Sequence, residues 1–155
     1  MKKVKFGQTT KILLTEEETL FSQGDEGCEA YMIVSGRLNV IVDQKRVGSM
    51  SDGEVFGELA LLLNQKRSAT IITTTATELI EITKDGFNNI IDSASSETKK
   101  MIIQLCEALS KREEFQKVTF SESDLMKNLE PENDLITKFA KQIFHRLDHS
   151  TVHIE

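Results

Sequence analysis

Turn-forming clusters recur so often in the first half of this chain that no long helix fits between them. QGDEG (23–27), SG (35–36), DQ (43–44) and SDGE (51–54) supply the glycine, aspartate and serine that tight turns favour. Between and around them lie short runs with the period and composition of strands: Ile12–Leu14, Glu18–Phe21, Ala30–Val34, Leu38–Val42, Arg46–Met50, Ala69–Thr75 and Glu78–Ile82. Many short strands at this spacing predict an antiparallel sandwich or barrel rather than alternating β/α units. One stretch, Leu59–Leu63, breaks the rhythm and reads as one or two helical turns inserted between strands.

After Ile82 the periodicity changes to that of helices. Phe87, Ile90 and Ile91 mark a short amphipathic helix, and Met101, Ile102, Leu105, Ala108 and Leu109 line one face of a longer one. Ser121 and Asp124 have the spacing of a capping box opening a helix that ends near Leu129, and Pro131 suits the approach to another. In that last helix Ile136, Phe139, Ala140, Ile143, Phe144 and Leu147 form a continuous apolar stripe, to be covered by the chain's own barrel, by a second copy or by another protein. The expected class is mostly β with C-terminal helices (α+β).

With 155 residues the chain has the length of one domain with a sizeable core. Its formal net charge of -6 excludes a general nucleic-acid binder, whose affinity comes from Lys and Arg neutralising phosphates. Residues 118–155 carry Glu122, Asp124, Glu130, Glu132, Asp134, Asp148 and Glu155 against Lys127, Lys138, Lys141 and Arg146, too acidic and too short for a DNA-reading module. With no Trp and one Tyr, a stacking platform for single strands is not expected. Lys2, Lys3 and Lys5 form a basic patch with no hydrophobic segment behind it, and no apolar run reaches membrane-span length, so a cytoplasmic protein is expected. Cys28 and Cys106 have no metal or redox spacing and are read as reduced thiols.

No clustered ligands or nucleophile–base pair suggests an enzyme. His145, His149 and His153 are four apart, a spacing that can chelate a metal on a helix; Ser150, Thr151 and Val152 are poor helix formers there, so a solvated tail is expected, with no metal site.

The segment FGELALLLNQKRSAT (56–70) sets Gly57-Glu58 before an aliphatic run and Arg67-Ser68 just before a β-branched strand. A helical turn starting at Gly57-Glu58 offers unpaired backbone N–H groups to an anion, and glycine lets a ligand approach closely. Arg67 adds a full positive charge with a planar fork suited to phosphate. Glu58, an acceptor only, suits a sugar hydroxyl. The pair describes a ligand with an anionic group beside a free hydroxyl, the shape of a ribose cyclic phosphate.

The same segment resembles the phosphate-binding cassette of cyclic nucleotide-binding domains, the family of protein kinase A regulatory subunits and the bacterial catabolite activator protein. The likeness extends through LFSQGDEGCEAYMIVSGRLNVIV (20–42) and SDGEVFGE (51–58), covering roughly Ile12 to Leu109. The resemblance implies that Glu58 binds the ribose 2′-OH, that Arg67 binds the cyclic phosphate, and that the backbone of Gly57, Leu59 and Ala60 completes the cradle. Ser68 stands where kinase subunits carry alanine, cyclic GMP-selective members threonine and bacterial activators serine; its hydroxyl can donate to the phosphate or accept from a guanine amine. Lys66 replaces a common proline. Val40, Val47 and Met50 are candidate pocket walls by position and equally candidate core residues; Phe115 and Phe120 are candidates for capping the base.

The resemblance implies an antiparallel β-roll or jelly-roll barrel (11–82) followed by three to four helices, with a cyclic nucleotide-binding domain over 1–117 (helices 84–116) and a helical extension over 118–155. The expected function is a regulatory sensor for a cyclic nucleotide, cyclic AMP before cyclic GMP, signalling by helix rearrangement. It would need no cofactor and no catalysis, and its partners would be the ligand and a protein or second copy met through the helical C-terminus, with neither nucleic acid nor membrane. The alternative is a nucleotide-free version of the fold acting as an interaction or dimerisation scaffold. The helical segment that usually precedes the first strand is expected to be truncated or absent.

Overall fold

The computed structural model describes residues 1–7, 9–62, 64–111 and 118–153. Nine strands come first: β1 (Lys2–Phe6), β2 (Thr9–Leu14), β3 (Thr19–Phe21), β4 (Glu29–Ser35), β5 (Arg37–Val42), β6 (Lys45–Ser51), β7 (Val55–Phe56), and, after helix α1 (Glu58–Leu62), β8 (Thr70–Thr73) and β9 (Thr77–Thr83). Among the described residues four helices follow: α2 (Lys84–Asp92), α3 (Ser96–Lys111), α4 (Glu122–Leu129) and α5 (Asp134–His153). The chain divides into two compact units, Met1–Lys84 and Asp85–Glu155.

In the first unit every strand pairing is antiparallel. One sheet has the order β1-β2-β9-β4-β7 and the other β3-β8-β5-β6, so the expected barrel is not closed but is a roll of two sheets. Alternation sets the core. Tyr31 and Ile33 of β4 point inward with Ile12, Leu14, Phe56 and Leu79 from the same sheet, and Leu38, Met50 and Ile71 join them from the other. The DQ break is a two-residue hairpin between β5 and β6 with both residues left-handed (Asp43 φ 51°, Gln44 φ 69°), the geometry that matches strand twist.

Two strands were not foreseen. In β1 the alternating lysines of KKVKF mark an exposed sheet edge, where charge blocks further pairing, rather than a free basic patch. β7 is two residues long and short of any pattern.

In the second unit α5 packs with α3 and α4. Ile136, Phe139, Ala140 and Ile143 are buried, with the Phe139 ring edge-on to Phe87 at 5.3 Å. The stripe thus belongs to a helical core of this chain rather than to a standing partner surface. Because the helices share that core, the boundary expected at 117/118 falls inside this unit. The capping box forms: Ser121 Oγ accepts from the Asp124 N–H, and the Asp124 carboxylate accepts from the Ser121 N–H. Asn133 Oδ1 caps α5 by accepting from the Ile136 N–H at 2.9 Å. α5 continues through His153, past Ser150–Val152, where a solvated tail was expected. Leu63, Phe115 and the side chains of Leu109, Leu147, His149 and His153 lie outside the described residues. No described helix is long and apolar enough to cross a membrane.

Candidate functional site

Arg67 is held at both ends of its backbone by the QGDEG turn. Its N–H donates to Asp25 O at 2.8 Å, and its carbonyl accepts from the Gly24 N–H at 2.8 Å. The turn is closed by Asp25 itself, whose carboxylate accepts from the Ser22 N–H. A segment that composition marked only as a break therefore fixes where the arginine enters the fold.

The side chain then runs inward until the residue is only 5% exposed. Nη1 donates to Gly57 O at 3.1 Å and Nη2 to Glu29 O at 2.8 Å. The guanidinium lies 4.1 Å from the Phe21 ring centroid and 5.8 Å from that of Tyr31. Phe21, Tyr31 and Phe56 contact one another, with centroids 5.5 to 6.2 Å apart, so the cation rests on an aromatic floor. Its nearest counter-charge is the Glu29 carboxylate, 3.9 Å from Nη2. Arg67 Nε is buried without a hydrogen-bond partner among the described residues.

Glycines leave room for this arrangement at two points. A β-carbon at Gly27 would stand 2.1 Å from Arg67 Nε. Gly57 has φ +83°, a left-handed conformation, and a β-carbon there would meet Nη1 at 2.9 Å. Gly57 also turns the chain from β7 into α1, whose first residue, Glu58, is fully buried. The two residues singled out from sequence thus meet through one peptide: Glu58 follows the glycine whose carbonyl Arg67 grips.

The other candidates divide. Ala60 is buried in α1, Leu59 contributes backbone to α1, and Ser68 is half-buried beside Arg67 in sequence. Lys66 is exposed and makes a 4.0 Å surface pair with Glu26. Met50 belongs to the hydrophobic core and Val40 packs against it. Val47 is 47% exposed, because the register jumps from Val40↔Gly48 to Ile41↔Arg46 and leaves Val47 as the extra residue of a bulge. Phe120 lines a surface hollow of about 520 Å³ within the helical unit that includes no cassette residue. Phe21, Gly27, Glu29 and Tyr31 were missed as site residues. They sit in the FSQGDEGCEAY segment, which the sequence marked for its glycines and its family likeness but not for these side chains.

Burial pushes the Tyr31 phenol up to about 12, with the charge of Glu29 adding to the shift and that of Arg67 opposing it. Among the described residues no group of three or more His, Cys, Asp or Glu side chains is arranged to hold a metal ion.

Comparison with known proteins bears on this geometry. The family described as cyclic nucleotide-binding domain matches residues 11–94. A cAMP-dependent protein kinase regulatory subunit of Yarrowia lipolytica is 34% identical over 84 residues, which are 54% of this chain and 22% of that protein. Among solved structures, the cAMP-bound form of the EAL enzyme Bd1971 superposes with a TM-score of 0.60 at 28% identity, over 65% of this chain and 28% of that one. The cGMP-bound form of that enzyme superposes with a TM-score of 0.55 at 28% identity, over 76% of this chain and 31% of that one. The chain thus spans less than a third of each of these relatives.

Proposed function

The chain belongs to the cyclic nucleotide-binding domain family, and from that premise we propose that it is a cytoplasmic sensor module, without chemistry of its own, that binds a cyclic nucleotide. Arg67 takes the cyclic phosphate, Glu58 the ribose 2′-OH, and the backbone of Gly57, Leu59 and Ala60 completes the cradle beside Ser68. The observation that carries this reading is the buried guanidinium. An uncompensated buried cation costs several kcal/mol, and here one carboxylate at 3.9 Å and two carbonyls compensate it while Nε has no partner. An anionic phosphate supplies an acceptor for Nε and a second negative charge beside the distant Glu29 carboxylate.

Cyclic AMP is the preferred ligand on this reading, in line with the kinase regulatory subunit and the cAMP-bound enzyme among its relatives. Cyclic GMP is the competitor to test, since that enzyme is also found with it. Binding at Arg67 and α1 shifts the helices after Ile82 through a difference in ligand affinity between two arrangements. The output passes to a protein partner or a second copy. Because the Ile136 stripe is buried, that partner reads a rearrangement of helices.

A thermal-shift comparison tests the reading, because a ligand that binds only the native state raises the unfolding midpoint. Both nucleotides are expected to raise it, cyclic AMP more. Calorimetry of Arg67→Ala is expected to show a loss of about 2–5 kcal/mol, about 30- to several-thousand-fold in affinity. A flat midpoint with either nucleotide leaves the interaction scaffold as the function.

A further inference from the structure

Gln23 stands between two groups that hold Arg67. Two residues before it, Phe21 ends β3 and lies under the guanidinium, 4.1 Å from its ring centroid. Just after it, Gly24 and Asp25 make the two backbone bonds with Arg67, each at 2.8 Å. Gln23 itself donates its N–H to Oγ1 of Thr70, the first residue of β8, at 2.9 Å. In the sheet β8 lies between β3 and β5, and the Gln23 side chain reaches past it to the tip of the β5–β6 hairpin. There Nε2 donates to Asp43 Oδ1 at 3.0 Å, and Oε1 accepts from the Asp43 N–H at 2.9 Å.

The two partners of this pair differ in how firmly they are held. Asp43 sits in a two-residue turn whose left-handed residues match the strand twist, directly after the buried Val42, which pairs with Lys45. The segment from Ser22 to Glu26 is exposed throughout and has little apolar burial to fix it. Backbone with few buried contacts opens at low free energy, so hydrogen bonds set its position. Asp25 closes the turn on Ser22, and Arg67 and Thr70 hold one side of it. The Asp43 bonds hold it to a part of the fold outside the arginine segment. The hairpin is thus the fixed end against which the turn, and through it Arg67, is set.

We propose that the reciprocal Gln23–Asp43 pair is a clamp that positions Arg67 for the cyclic phosphate, with Gln23 and Asp43 acting through the arginine as positioning residues. The proposal rests on Arg67 being the phosphate site. Nη1 and Nη2 are already engaged by the carbonyls of Gly57 and Glu29, which leaves Nε to the anion. Where Nε lies depends on where the backbone of residue 67 lies, and the 23–25 segment sets that. A hydrogen bond weakens steeply with distance and angle, so a small shift of the turn costs the ligand contact while the core stays intact. The clamp's own bonds are exposed to water, which replaces them when they break, so their loss changes stability little.

Exchanging the two roles in the clamp tests this on the whole chain. Gln23→Glu sets a carboxylate against that of Asp43 and is expected to weaken cyclic AMP binding about threefold to tenfold in calorimetry, the worth of one or two ordinary hydrogen bonds. Its melting midpoint should move by about 2 °C or less, as for a surface substitution. Asp43→Asn alone should leave affinity near that of the unsubstituted protein, because its amide oxygen still accepts and asparagine tolerates the left-handed turn. Gln23→Glu combined with Asp43→Asn again pairs a carboxylate with an amide and should restore binding. In proton–nitrogen NMR without ligand, the Arg67 Nε–H signal should shift or broaden in Gln23→Glu and recover in the double variant, which a general loss of stability would not produce. Cyclic AMP binding that Gln23→Glu leaves unchanged overturns the clamp and keeps the arginine site. Weakened binding that the double variant does not restore, or that follows a lowered midpoint, overturns it too. No binding by the unsubstituted protein overturns both.

Discussion

Gly27 lies so close against Arg67 that a β-carbon on it would stand 2.1 Å from Nε and 2.3 Å from the guanidinium carbon. The arginine cannot retreat, because Gly57 O, Glu29 O and the Phe21 ring hold its far side. Gly27→Ala is therefore expected to displace the guanidinium, weakening cyclic nucleotide affinity by more than about tenfold and lowering stability by about 1–3 kcal/mol. Calorimetry and urea denaturation measure the two effects separately.

Phe21→Leu keeps a smaller apolar side chain and removes the π face under the cation. Cation–π contacts of this kind are worth about 0.5–2 kcal/mol, so affinity should drop about twofold to thirtyfold. An unchanged affinity with a lowered melting midpoint would make Phe21 a core residue only.

Tyr31 is the single tyrosine in a chain without tryptophan, so its phenol is read cleanly by ultraviolet absorbance. Its native value is pushed up to about 12 from an unfolded value of 10.0. Between these values the native state holds a proton that the unfolded state has released, so stability falls as pH rises from 10 towards 12, by about 2–3 kcal/mol. Phenolate appearing near pH 10 before any unfolding would refute the buried phenol.

Ile143→Ala empties a fully buried position of α5 and is expected to cost about 2–5 kcal/mol in the helical unit. Ser121→Ala removes the capping box of α4 at about 0.5–2 kcal/mol. Circular dichroism during denaturation should show Ile143→Ala as the more damaging of the two; the reverse order would mean that α5 contributes little to the helical core.

The strand-and-turn rhythm before Ile82 and the helical stripes after it were legible because each is local. A left-handed hairpin at Asp43-Gln44, the Ser121–Asp124 box and the period of α5 depend on residues a few positions apart. β1 escaped notice because its lysines reflect an edge position, and only pairing with β2 makes it an edge. Val47 was misplaced by a single bulge, a shift of register that periodicity alone does not carry.

What surrounds Arg67 depended on distant parts of the chain meeting. Glu29 is 38 residues away from it and still accepts its hydrogen bond. Residue types, their spacing and the likeness to a known cassette were enough to nominate one cation and one carboxylate as candidates. Which groups stabilise that cation follows from strand order and burial, because electrostatic strength depends on distance and solvent exclusion rather than on position along the chain.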